Sequence, residues 1–242
     1  MGLKLGWRWL LVALRVAAML AWTALVVPIH LVVRLCGWPW LIPPTYLCGL
    51  GWLAGLRFAV EGKPRAHALL LANHLSWLDI MALAAASRTA FVAQSGVTVS
   101  PAFKWLCDQN GTVFVTRDRS HRVARQVAQV RAALGERRLT IFPEGTTGDG
   151  REMLPCKSAL LSALAELPAG IPVQPVALAY DEPEELAWGA GQPGLRNAAT
   201  ILARPRPVHL TLRFLRPLAG PALADRKAMA AIRGGGGAPW VY

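Results

Sequence analysis

Residues 68–79 read Ala68-Leu-Leu-Leu-Ala72-Asn73-His74-Leu75-Ser76-Trp77-Leu78-Asp79. Five apolar residues of strand length lead into a polar pair and then into an amphipathic run, Ser76–Ala86, of helical composition. The junction decides how His74 and Asp79 relate. Five residues along one α-helix turn through about 500°, which leaves the two side chains roughly 140° apart and unable to pair. If the helix instead begins near Ser76, His74 lies on the preceding loop, and Asp79 in the first turn can reach back to an imidazole nitrogen. A carboxylate there fixes the tautomer and supports the basicity that a helix N-terminus tends to lower. A neutral imidazole with its other nitrogen facing outward can take a proton from a hydroxyl. Ser76-x-x-Asp79 is also a capping box, which accounts for Asp79 without chemistry. The local pattern leaves both readings open.

Outward from this junction, apolar β-type runs at Phe91–Gln94, Thr112–Thr116, Leu139–Phe142 and Val173–Leu178 alternate with helical stretches at Ser120–Leu134 and Lys157–Leu167. Val123, Val127, Val130 and Leu134 share one helical face, with Arg122, Arg125 and Arg131 largely off it. The pattern predicts an α/β fold, a mainly parallel sheet flanked by helices. Val208–Phe214 alternates cleanly and reads as a late, edge-like strand. The expected organisation is a membrane-associated N-terminal segment over 1–57, a catalytic domain over 58–233 and a flexible tail over 234–242 opening on Gly234–Gly237.

The N-terminal segment has its own signature. Between Arg15 and Arg34 run 18 uncharged residues, Val16–Val33, which as helix span roughly 27 Å, just enough for a bilayer. Residues 35–56 are also uncharged, but Pro39, Pro43, Pro44 and several glycines predict a re-entrant or interfacial turn rather than a second span. Six of the ten Trp (Trp7, Trp9, Trp22, Trp38, Trp40 and Trp52) fall here, as suits rings at the headgroup level. Lys4 and Arg8 favour a cytoplasmic N-terminus if the helix crosses. Arg15 interrupts the apolar run and no small-residue cleavage site stands out, so a retained anchor is the expectation rather than a removed leader.

Composition agrees. Of 242 residues, 54% are hydrophobic and only 17% charged, against about 25% charged in soluble domains, which disfavours disordered, collagen-like or freely soluble classes. The net charge is +12, and residues 1–60 hold no acid at all. Such a surface suits anionic lipid or phosphate-bearing ligands. Nucleic acid is excluded as a partner because the Trp cluster lies in the apolar region instead of interleaving with the basic residues. Cys36, Cys48, Cys107 and Cys156 show no C-x-x-C spacing, so buried free thiols are expected and neither disulfides nor zinc. No metal cluster emerges among the five His.

Four motifs in series carry a family resemblance. Asn73-His74…Asp79 resembles the N-H-x-x-x-x-D first motif of the glycerolipid and lysophospholipid acyltransferases. Thirty-two residues after Asp79, Gly111-Thr-Val-Phe-Val-Thr-Arg117 is similar to the second motif, Phe142-Pro-Glu-Gly-Thr146 to the third and Ile171-Pro-Val-Gln-Pro-Val176 to the fourth. The resemblance covers about residues 58–215.

It implies that His74 and Asp79 are catalytic, with His74 as general base on a lipid hydroxyl that attacks an acyl thioester of coenzyme A or acyl carrier protein. That thioester is a co-substrate, and no cofactor is called for. The residues agree with direct transfer, since Ala93-Gln-Ser-Gly-Val97 lacks the first Gly of a nucleophile elbow. Substrate binding falls, by the same likeness, to Asn73, Arg117, Glu144, Gly145 and Thr146. Arg117 holds the acceptor's headgroup or phosphate, and Glu144 accepts from a hydroxyl or orients Arg117. The chain departs from the family at Thr147 and Gly148, where Arg and Ser are frequent, so one phosphate-pairing cation is missing. Thr146-Thr-Gly-Asp-Gly150…Leu154-Pro-Cys-Lys-Ser158 resembles the subgroup that acylates lyso-ornithine lipids, and Lys157 can replace the lost charge. The expectation is an O-acyltransferase acting on 1-acyl-sn-glycerol-3-phosphate, with a lyso-ornithine lipid as the close second. It would sit at a bacterial-type inner membrane with the catalytic domain on the cytoplasmic side. A non-catalytic lipid-binding protein of the same fold is the alternative, and His74 together with Asp79 argues against it.

Overall fold

The computed structural model describes residues 2–94, 100–115, 130, 132–151, 154, 171–189 and 191–218. The chain opens with α1 (Gly2–Leu35), followed by α2 (Pro43–Leu53), β1 (Leu56–Glu61) and β2 (Leu69–Ala72). Next come α3 (Leu78–Ser87), β3 (Ala90–Gln94), α4 (Pro101–Gln109), β4 (Val113–Val115) and β5 (Leu139–Ile141). The elements end with β6 (Val173–Tyr180), α5 (Pro183–Leu186), α6 (Gly194–Leu202) and β7 (Val208–Phe214).

Among the described residues seven strands form one sheet in the order β1-β7-β6-β2-β5-β3-β4, parallel at every pairing except β6 with β7. The predicted mainly parallel α/β architecture is present. Strand β2 runs through the middle and is buried on both faces, so it reads as an unbroken apolar run. Ala68, Leu70 and Ala72 join Leu75, Leu83 and Leu178 in one core. Leu69 and Leu71 point the other way, toward Val130, Leu134 and Leu139. Helix α3 covers the first face, and the helical residues at 130 and 132–136 cover the second. The expected helix Lys157–Leu167, most of Ser120–Leu134, and the tail over 234–242 lie outside the described residues.

Strand β7 is not at an edge. It is paired on both sides, parallel to β1 from Leu56↔Val208 to Glu61↔Arg213 and antiparallel to β6. The outer position belongs to β1, whose residues follow directly on the apolar N-terminal segment.

Helix α1 is 34 residues long and runs through Arg8 and Arg15 without a break. Residues Gly6–Leu35 make it long and apolar enough to cross a membrane. It lies along the flank of the domain and is fastened near its middle and at its C-terminal end. Arg15 donates to the carbonyls of Leu202 and Arg204 at 3.0 Å each, and nineteen residues later Arg34 donates to Gln109 Oε1 at 2.5 Å. The face turned away from the domain exposes Leu10, Leu14, Leu20, Leu25, Val32 and Leu35. The stretch after α1, expected as an interfacial turn, forms a turn over 36–42 and then α2, which packs on α3. Trp22 crosses α2 at Gly49, where a Cβ would stand 2.4 Å from the ring, and its indole N–H donates to Tyr46 O at 3.0 Å. Cys36 and Cys48 are exposed on this segment and Cys107 is partly buried, so the expectation of buried thiols fails at the first two. In an anchor the apolar surface faces outward, and small sulfur side chains go out with it.

Candidate active site

The site gathers outside the carboxyl ends of β2, β5 and β6, the position that open α/β sheets use for ligands. β2 stops at Ala72, and Asn73 staples its end to β6. Its carbonyl accepts from Leu178 N at 2.8 Å and its amide donates to Leu178 O at 3.0 Å. Both functions of this buried side chain are thus used on backbone, and they fix where the next residue leaves the sheet.

That residue is His74. Because α3 begins at Leu78, His74 sits on the loop before it, and its Nδ1 lies 2.8 Å from Asp79 Oδ2. The same oxygen accepts from Leu75 N at 2.7 Å and Ser76 N at 2.9 Å. The two readings of Asp79 therefore merge, since one carboxylate ties down the helix start and orients the imidazole. Asp79 is fully buried, whereas the His74 side chain keeps 16% of its surface open. With an ionised acceptor at Nδ1, the proton resides there, and Nε2 presents a lone pair. Nε2 has no hydrogen-bond partner among the described residues. The ring lies flat on Phe142, centroids 3.9 Å apart at 17°, and Phe142 in turn stacks on Phe91.

Glu144 holds the loop from the other side. Its Oε1 accepts from His74 N at 2.8 Å and its Oε2 from Leu154 N at 2.9 Å. Burial pushes its carboxyl above the usual range, opposed by those two backbone bonds and by His74. Gly145 adopts φ +65° in the turn after β5, and its amide donates to Phe142 O at 3.0 Å. Thr146 is exposed beside it. At the two positions that depart from the motif it resembles, Gly148 N donates to His74 O at 2.8 Å and Thr147 Oγ1 to Trp188 O at 2.5 Å. Trp188 N closes the ring on Leu75 O at 3.1 Å. Arg117 and Lys157 lie outside the described residues.

Tyr180 is the residue that sequence reasoning missed. Its hydroxyl donates to Asp79 Oδ1 at 2.5 Å from inside the core. Burial first, and then the negative Asp79, hold the phenol well above its ordinary range, so it stays a donor. One signal was available: Val176, Leu178 and Tyr180 share one strand face, and a hydroxyl on an apolar face requires a partner.

This arrangement can take a proton from a hydroxyl at Nε2 and hold the resulting imidazolium against Asp79. Among the described residues no group of His, Cys, Asp and Glu is placed to bind a metal.

A family model described as Acyltransferase matches residues 57–179. The chain is 33% identical over 235 residues to a lyso-ornithine lipid O-acyltransferase of Brucella abortus, covering 89% of this chain and 88% of that one. It is 34% identical to the protein of that name from Rhodobacter capsulatus, over 74% of this chain and 68% of the relative. A 1-acyl-sn-glycerol-3-phosphate acyltransferase of Neisseria gonorrhoeae is 33% identical over 142 residues, 54% of this chain and 53% of that one. The fold is that of the crystal structure of the 1-acyl-sn-glycerophosphate acyltransferase from Thermotoga maritima, with TM-score 0.58 at 18% identity over 80% of this chain and 76% of that one.

Proposed function

Since the chain belongs to the acyltransferase family, we propose that His74 is the general base of an O-acyl transfer from a thioester of coenzyme A or acyl carrier protein to a lysolipid hydroxyl. The observation that carries this reading is the pairing of His74 Nδ1 with buried Asp79 while Nε2 is left to accept a proton. The hydroxyl gives its proton to Nε2 as its oxygen forms a bond to the thioester carbonyl. The C–S bond then breaks, and the thiolate leaves with the proton that the imidazolium returns. Asp79 stays ionised throughout and stabilises the transient cation. Asn73 and Glu144 act here as positioning residues, their polar atoms being used on the backbone around His74. Gly145 and Thr146 border the acceptor, Arg117 meets its headgroup, and Lys157 supplies a cation to the acceptor or to the carrier's phosphates.

For the acceptor we favour a lyso-ornithine lipid. The relatives that align over most of this chain carry that name, and positions 147 and 148 hold backbone ties where a phosphate-pairing cation would stand. The glycerol phosphate acceptor is the second reading, resting on the Neisseria relative and the basic surface. Helix α1, with its Trp-rich surroundings and outward apolar face, seats the domain on a membrane, in our reading the cytoplasmic side of an inner membrane. Purified protein assayed with both acceptors, each with acyl-CoA and acyl carrier protein donors, is expected to turn over the amino-lipid. Turnover of 1-acylglycerol-3-phosphate alone overturns the choice of acceptor, and His74→Ala with wild-type transfer overturns the base.

A further inference from the structure

A cleft lies at the end of the sheet opposite His74. His67, Arg88 and Arg137 each stand two residues before β2, β3 and β5, three strands that are adjacent and parallel. They line a cleft of about 480 Å³ with Trp38, Trp40 and Leu41 of the turn that follows α1. His74, by contrast, comes after β2, so the whole strand separates this cleft from the transfer site.

The key side chain is Arg137. Its guanidinium lies over the Trp40 ring, 4.3 Å from the centroid, and is wedged where Trp40 meets Gly111, at which a Cβ would stand 2.9 Å from both. Its Nε and Nη1 are buried and have no hydrogen-bond partner among the described residues. Neighbouring Arg138 shows the contrast, since its guanidinium donates to the carbonyls of Pro64, Arg65 and Ser87. Arg88 fastens the turn through weak bonds to Trp40 O and Leu41 O at 3.4 Å each. Glu136 on the rim is exposed and makes no ion pair among the described residues. A half-buried cation with unmet donors is unfavourable unless an anion completes it. Burial lowers Arg137 to about 10, with Glu136 opposing and the Arg88 charge adding to the lowering, so it remains a cation at neutral pH.

We propose that this cleft binds a phosphate or phosphodiester anion, held by the fork of Arg137 with Arg88 beside it, at a site distinct from the transfer site. A planar fork against an aromatic face suits two phosphate oxygens. The rim favours a lipid headgroup as the source. Leu35 and Trp38 are strongly exposed next to it, at the end of the apolar helix, where an anchored protein meets headgroups.

The test follows melting of the full-length protein in neutral detergent, titrated in one arm with inorganic phosphate and in the other with dihexanoyl phosphatidylglycerol. Wild type is expected to melt at a higher temperature with the anion. Arg137→Met should melt no lower than wild type without it, because an apolar chain replaces an unpaired cation. The same variant should bind about tenfold more weakly or worse. Arg88→Gln, on an exposed side chain, should show a reduced rise and serves if the first variant is unstable. A rise with the lipid at far lower concentration than with phosphate identifies a headgroup site, and equal potency identifies a free-phosphate site. No rise with either anion, or the same rise in wild type and both variants, overturns the proposal.

Discussion

The hydroxyl of Tyr180 donates to Asp79 Oδ1 at 2.5 Å, on the oxygen opposite the one that receives His74 Nδ1. Asp79 is therefore held from both sides and cannot swing away from the imidazole. Tyr180→Phe removes one bond to a charged group, worth about 1.5–3 kcal/mol. The variant should unfold at lower denaturant yet keep the fold and measurable transfer, which denaturation curves run beside an acyl-transfer assay will read.

His74→Ala should lower transfer by roughly 10²–10⁴, the range of a general base. The side chain is partly open and its loop is held by Glu144 and Gly148 through backbone atoms, so the melting temperature should change little. Product formation and thermal melting on the same preparation check both halves.

Asp79 separates chemistry from folding. Asp79→Asn can keep its oxygen toward Leu75 N and Ser76 N and turn its amide toward the Tyr180 hydroxyl, which can accept. Asp79→Ala leaves those donors unpaired in the core at about 1–3 kcal/mol for each group stranded. Transfer should collapse in both variants, with the larger loss of stability in the alanine variant.

Glu144 makes stability depend on pH. Its carboxyl is raised by burial, so between the ordinary carboxylate range and the raised value the folded protein binds the extra proton, and stability falls as pH rises. This contribution is complete below the unfolded value and is lost once pH passes the folded one. Glu144→Gln cannot titrate. Denaturation across the acidic range should show wild type gaining stability relative to the variant as pH drops, and parallel curves would contradict the assignment.

Gly150 adopts φ +84°, and a Cβ there would stand 2.8 Å from the carbonyl carbon and oxygen of Pro183 at the start of α5. Gly150→Ala strains the backbone and pushes α5 away from the loop that holds His74 O. A loss of about 1–3 kcal/mol is expected, with reduced transfer even where the variant remains folded.

The pairing of His74 with Asp79 was legible in the sequence because it needs only five residues and a helix start between them. Glu144 stood out in the sequence, but its contacts did not. The bond from His74 N spans seventy residues and depends on β2 and β5 being neighbours. Asn73 likewise meets Leu178 only because β6 runs beside β2. β7 looked like an edge because its outer partner Leu56–Glu61 straddles the expected boundary at residue 57 and, with Arg57 and Glu61 charged and most of its residues exposed, does not stand out as a strand. Where strand order decides a contact, periodicity alone does not report it.

The position of β1 limits how this protein can be taken apart. A graft that exchanges N-terminal segments with a relative at residue 57 would join two sequences inside β1, the strand that pairs with the outer side of β7. A swap that respects the sheet has to join beyond Glu61 or ahead of α2. Extraction from lipid should likewise strain the catalytic unit and its anchor together, since the two share one hydrogen-bonded seam.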